Sequence, residues 1–377
     1  MRDANQEWAR WQAATGFERR VQEFAKAHRF TPGITDKEHI AGRRIELARE
    51  LEGKHLIYLD TKHWVNLCHI VMQSSQRVAV YDDVLALLES LRQKGRVCCP
   101  LSSMLFVELM KQRDSSTRKA TARIMDFLSD GLCLQNWLAL AKSEFGRHIC
   151  STFQIRDAVE GAFPIWTKVG YWAGEHTFHF SGETVEGSTL MEKVYIDLNW
   201  EMTCEAYQAM PDWIPTPDVF LKAWVAESER AKSHQANANL SFTNLVQARR
   251  LHLLASLKKT LLPMLALCKG KAGSPDDHVA AVFDPIYEGR DPKALPSLEV
   301  VAGLDAAITL DRKRKVQAND MEDYLHVAQS LPYCDALFCD NFMAQKLLYK
   351  PLEFGKVYQT QIGSRPEEII SYLKTLN

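Results

Sequence analysis

Five acidic residues and one histidine carry the first chemical suggestion in this chain. Asp320, Asp323 and His326 recur at three-residue spacing, which on a helix sets them along one face. Asp340 follows the apolar run Ala336-Leu337-Phe338-Cys339, which reads as a short buried strand. Asp60 ends another β-prone run, His55 to Leu59. Glu108 sits inside Met104-Leu105-Phe106-Val107-Glu108-Leu109-Met110, where burying a carboxylate costs several kcal/mol unless it is paired or binds a cation. Carboxylates gathered at the carboxyl ends of parallel strands point to a hard-cation site. An oxygen-rich, thiolate-free set suits Mg²⁺ or Mn²⁺. Each acid alone also has an ordinary reading, as a helix cap or a solvated surface group. For Asp320, following Asn319 at a helix start, the two readings balance.

Basic residues lie next to these acids. Arg312, Lys313, Arg314 and Lys315 immediately precede the acidic helix, and Arg118, Lys119 and Arg123 lie just beyond Glu108. Such groups could hold a phosphate backbone, although charge runs are more often simply solvated. His176-Thr177-Phe178-His179 has a metal-site spacing but no accompanying zinc-ligand set, so a strand or loop pair of histidines is the better reading. There is no Gly-x-x-x-x-Gly-Lys, no Gly-x-Gly-x-x-Gly and no Gly-x-Ser-x-Gly, which removes the commonest phosphate-loop and hydrolase signatures.

The elements that must position these residues alternate strand and helix. Residues 4–28 carry an amphipathic pattern around Trp8, Trp11, Phe17, Val21 and Phe24. Thr35-Asp36-Lys37-Glu38 is a capping box opening a helix to about Leu51, and Gly53 ends it. Strand His55–Leu59 and a helix from Thr61 follow, then a helix over Val80–Leu91, a strand near Arg96–Pro100, and a Ser102- or Ser103-capped helix holding Glu108. A further helix spans about Ser116 to Leu128. From 151 to 300 the texture changes. Phe163–Phe180 is aromatic-rich and reads as a hairpin or irregular segment, and Leu190–Met210, Asp218–Ser233 and Phe242–Cys268 read as long helices. Gly270–Pro296 looks like a connector. After Asp340 come a helix over Met343–Leu348, a last strand at Lys356–Gln359 and a terminal helix opened by the capping box Ser364-Arg365-Pro366-Glu367. The predicted division is N-terminal helices at 1–54, an α/β core in two parts at 55–150 and 301–377, and a mostly helical insertion at 151–300.

The order of the acids resembles the PIN domain, a metal-dependent nuclease family built on a parallel sheet flanked by helices. Its first-strand Asp corresponds to Asp60 in Ile57-Tyr58-Leu59-Asp60-Thr61, and the helical Glu to Glu108. The Asp-x-x-aliphatic-Ala-Ala helix corresponds to Asp323-Tyr324-Leu325-His326-Val327-Ala328, and the acidic strand end to Phe338-Cys339-Asp340-Asn341. The register selects Asp323 over Asp320 and leaves Asn341 as an alternative to Asp340. The resemblance implies an α/β, PIN-like fold and a Mg²⁺- or Mn²⁺-dependent endonuclease, a ribonuclease ahead of a DNA nuclease. A catalytically silent scaffold binding nucleic acid or protein is the alternative. Asp60, Glu108, Asp323 and Asp340 would hold the metal, with Asp320 as a further candidate, and His326 would orient a carboxylate or carry a proton. Products would carry 5′-phosphate and 3′-hydroxyl ends. An antitoxin or other regulatory protein, and self-association, are partners the family allows.

Composition bounds these readings. The chain has 377 residues, 46% hydrophobic and 25% charged, with net charge -1, so nucleic-acid binding has to come from local patches. Nine scattered cysteines without Cys-x-x-Cys pairs suggest a reduced, cytoplasmic protein. Met1–Arg20 lacks an apolar signal-peptide core, and no uninterrupted apolar run approaches the roughly 18 residues of a membrane span, so no membrane association is expected.

Overall fold

The computed structural model describes residues 17–28, 33–155, 162–172, 190–208 apart from 191 and 195, 241–311 and 314–376, with 226, 229, 230 and 232 between them. The fold is α/β, with strands paired in parallel and helices flanking them. Contacts divide the chain into two compact units. One comprises Met1–Asn136, Trp166–Pro215 and Arg365–Asn377, and the other Trp137–Ile165 and Thr216–Ser364.

In the first unit, Thr35 and Glu38 close the expected capping box on helix Asp36–Glu50. Strand β1 (His55–Leu59) buries Leu56 to Leu59 and pairs in parallel with β2 (Val97–Cys98), with His55 opposite Val97 and Leu56 opposite Cys98. Between them runs helix Val80–Gln93, whose Tyr81, Val84, Leu85, Leu88 and Leu91 are buried at the helical spacing seen in the sequence. Each strand feeds a helix, Thr61–Val71 after β1 and Ser103–Lys111 after β2. Helix Ser115–Ser129 stops at Asp130, in left-handed conformation at φ 52°. Strand β3 (Leu132–Leu134) then pairs antiparallel with β4 (Trp166–Lys168), so the described start of the aromatic-rich segment is a strand followed by a 3-10 turn at Val169–Tyr171.

The helix expected over Leu190–Met210 is broken before Trp200. A new helix, Trp200–Gln208, starts there because Asn199 Oδ1 accepts from Met202 N at 2.8 Å and Asp126 accepts from Trp200 N at 2.6 Å and Glu201 N at 3.0 Å. The terminal capping box lies one residue later than expected: Arg365 is the N-cap of Pro366–Thr375 and Glu368 its partner at 2.9 Å, since Pro366 is suited to the first helical position.

The second unit is built around helix Pro296–Leu310, buried along almost its whole length. Helix Phe242–Leu261 packs on it through Leu245 and Val246 and through two ion pairs, Arg249–Asp305 at 2.6 Å and Arg250–Glu299 at 2.7 Å. With its 3-10 continuation to Cys268, this helix is long and apolar enough to cross a membrane by length and composition alone. The expected connector Gly270–Pro296 instead contains helix Pro275–Tyr287, opened by a Ser274–Asp277 capping box with Pro275 in its first turn. Strand β5 (Ala336–Phe338) pairs in parallel with β6 (Gln361–Gly363), Leu337 opposite Ile362. The strand expected at Lys356–Gln359 is a correction: Phe354–Tyr358 is helical, and left-handed Gln359 (φ 59°) turns the chain into β6 two residues later. All nine cysteines are buried and unbonded to one another.

Candidate metal centre

Asp60 stands at the carboxyl end of β1 and is the N-cap of helix Thr61–Val71, its Oδ1 accepting from Thr61 N at 2.7 Å. Glu108 lies in the helix that follows β2. That helix is started by Ser102, whose Oγ accepts from Leu105 N at 3.3 Å and bonds Tyr58 OH of β1 at 2.7 Å. The Tyr58–Ser102 contact thus ties the beginning of the Glu108 helix to the strand that ends at Asp60. Ser103, Leu105, Phe106 and Leu109 are buried while Glu108 is half-buried. Phe106 anchors this helix against Trp172, with ring centroids 4.2 Å apart.

The result is a close pair. Oxygens of Asp60 and Glu108 lie within 4.8 Å of one another, and Thr61 Oγ1 donates to Glu108 Oε2. Two half-buried carboxylates at that separation can share one hard cation, whose oxygen ligands stand roughly 2.0 to 2.6 Å from the ion. Sequence reasoning named both acids and missed Thr61. Its available signal was a hydroxyl residue immediately after an acid at a strand–helix junction.

In the second unit, helix Ala318–Ser330 carries Asp320, Asp323 and His326. Asp320, 1% exposed, has both oxygens engaged: Oδ2 accepts from Gln317 N at 2.8 Å in a capping box, and Oδ1 pairs with Arg314. Of the two readings balanced in the sequence, the helix cap is the one seen. Asp323 is half-buried and His326 buried, the His326 carbonyl accepting from Ser330 Oγ at 2.7 Å. Asp340 follows β5 and caps helix Asn341–Leu347, with Oδ1 accepting from Phe342 N at 2.7 Å and Met343 N at 3.1 Å. Asn341 is exposed as the first residue of that helix.

The basic candidates divide differently from the expectation. Arg123 pairs with Glu201 at 2.9 Å and Lys119 with Glu205 at 3.0 Å, both acids on helix Trp200–Gln208, while Arg118 donates to the Gln112 carbonyl. These cations fasten one helix to another. Arg314 is held by Asp320 and lies 3.5 Å over the Phe342 ring, and Lys315 is exposed. Arg312, Lys313 and the His176–His179 pair lie outside the described residues. Because the charges of Arg123 and Lys119 are already matched, the double variant Arg123→Met, Lys119→Met is expected to leave whatever affinity the chain shows for RNA, and its salt slope, unchanged. Gel shifts at 50 and 200 mM salt test this. A slope shallower by about two would restore both residues to the phosphate-binding set.

Two buried carboxyls elsewhere in the fold, Asp126 and Glu144, are shifted upwards. Burial pushes Asp126 up to about 6 against the opposing pull of the Glu201 and Trp200 amides, and raises Glu144 to about 7 despite hydrogen bonds from Tyr333 and Ser297. Both sit over the N-terminus of another helix, so they are caps supplied from a distance.

No family model matches the chain, and it has no significant match among curated proteins or solved structures.

Proposed function

We propose that this chain is a PIN-like, metal-dependent endonuclease that hydrolyses phosphodiester bonds in RNA, with DNA as the alternative substrate. The observation that carries the reading is the Asp60–Glu108 pair, two oxygen donors within 4.8 Å, each set by the helix that follows a parallel strand. The donor set fits a hard cation, Mg²⁺ or Mn²⁺, and offers no soft ligand. Such an ion supplies a bound water of lowered pKa and charge stabilisation for the attacking and leaving oxygens. Asp60 and Glu108 would hold it. Asp323, Asp340 and His326 are assigned by the resemblance, the first two as further ligands and the histidine as a proton carrier or orienting group.

The test is a side-by-side substrate panel with the full chain. Labelled single-stranded RNA is expected to be cut with Mg²⁺ or Mn²⁺, more slowly or not at all as DNA, leaving 5′-phosphate ends, with all cleavage lost in EDTA. Cleavage that persists in EDTA would overturn the metal reading. Absence of both cleavage and any metal-dependent thermal shift would leave the binding scaffold in its place.

A further inference from the structure

We infer that Thr61 is the positioning residue of the Asp60–Glu108 pair and sets the cation affinity of that site; the inference rests on the metal-dependent reading above. Thr61 is the first residue of its helix, where the backbone N–H has no partner inside the helix. Asp60 Oδ1 takes that N–H at 2.7 Å. The hydroxyl of a helical threonine commonly turns back to a carbonyl three or four residues earlier. At this position those residues are Ile57 and Tyr58, which belong to β1, so no helical carbonyl is offered and the hydroxyl reaches across to Glu108 Oε2.

One residue therefore bonds one oxygen of each carboxylate, through two donors separated by a stiff, β-branched side chain. One acid caps the helix that Thr61 begins and the other lies on the helix after β2, and Thr61 bonds both. Hydrogen-bond partners that orient metal ligands typically contribute about 10- to 100-fold in metal affinity.

The experiment is Mn²⁺ titration calorimetry on the full chain, without substrate, with thermal midpoints in EDTA recorded alongside. Thr61→Val, which keeps shape and the backbone N–H but lacks the hydroxyl, is expected to weaken Mn²⁺ binding by about 10-fold or more. Thr61→Ser, which keeps the hydroxyl, is expected to bind within about 3-fold of the parent, and this rescue separates positioning from packing. Should Thr61→Val fail to fold, Thr61→Ala carries the same expectation, since alanine suits a first-turn helical position. Parent-like Mn²⁺ affinity in the hydroxyl-free variants would overturn the role of Thr61 while leaving the metal reading intact. A parent chain that binds no Mn²⁺ would overturn the metal reading itself.

Discussion

Asp60→Asn is expected to cut metal-dependent RNA cleavage by about 10²- to 10³-fold, the scale of several kcal/mol of transition-state stabilisation. Its fold should survive for a local reason. Asp60 caps helix Thr61–Val71 through a side-chain oxygen, and asparagine ranks with aspartate as a cap, so Thr61 N keeps an acceptor. What the substitution removes is charge. Two carboxylates within 4.8 Å repel one another when no cation lies between them, by roughly 1 to 3 kcal/mol at effective dielectrics of about 80 to 20. Asp60→Asn should therefore melt higher than the parent in EDTA and gain less from added Mg²⁺ or Mn²⁺. A general loss of folding moves both midpoints down together, whereas a lost ligand moves activity and the EDTA midpoint in opposite directions. Full cleavage by Asp60→Asn would sink the assignment of this residue. Asp323→Asn is expected to lose cleavage likewise.

Local chemistry was the legible part of the sequence. The Thr35–Glu38 box, the buried stripe of Val80–Gln93 and the strand ending at Asp60 are each fixed by residues within a few positions of one another, and each stands where the pattern put it. Glu108 was legible as an acid in an apolar run, and it is half-buried beside Asp60. What the sequence could not display was partnership at long range. Arg118, Lys119 and Arg123 look like a free basic face until helix Trp200–Gln208 brings Glu201 and Glu205 against two of them. Asp320 reads equally as a cap or a ligand until Arg314 and the Gln317 amide are seen to occupy it. The Ser274 box was missed because the Gly- and Pro-rich texture around it outweighed a four-residue signal. The strand after Gln359 was displaced because a non-glycine residue there takes a left-handed conformation that propensity does not anticipate.

Glu144 shows the same limit with the larger consequence for stability. It sits in helix Trp137–Thr152 among Ala141, Phe145 and Ile149 and is 3% exposed, with partners contributed by distant residues. Ser297 N donates to Oε1 at 3.1 Å, Ser297 Oγ to Oε2 at 2.8 Å, and Tyr333 OH to Oε1 at 2.6 Å. Glu144→Ala is expected to cost about 3 to 5 kcal/mol, because a cavity opens and the Ser297 amide and Tyr333 hydroxyl lose a buried acceptor. Glu144→Gln keeps an acceptor for both and should be nearly neutral at pH 5. The two chains should then separate with pH. Burial raises the Glu144 pKa in the fold to about 7 from 4.5, so the native state holds a proton that the unfolded chain has already released between those values. The contribution of this group is full below pH 4.5 and is lost as pH rises through about 7, by about 3 kcal/mol. Asp126, raised by burial to about 6 from 3.8, adds a slope of the same sign over its own window. The capping acids Glu38, Asp114 and Asp277 are pulled down by hydrogen bonds from Thr35, from Ser116 and Thr117, and from Ser274, so their opposite slopes fall at lower pH. Urea unfolding at pH 5 and pH 8 reads the difference. Glu144→Gln should match the parent at pH 5 and exceed its stability at pH 8, since an amide has no proton to lose. Equal stability of the two chains at both pH values, or a parent that gains on Glu144→Gln as pH rises, would show that Glu144 is charged throughout and that its hydrogen bonds outweigh its burial.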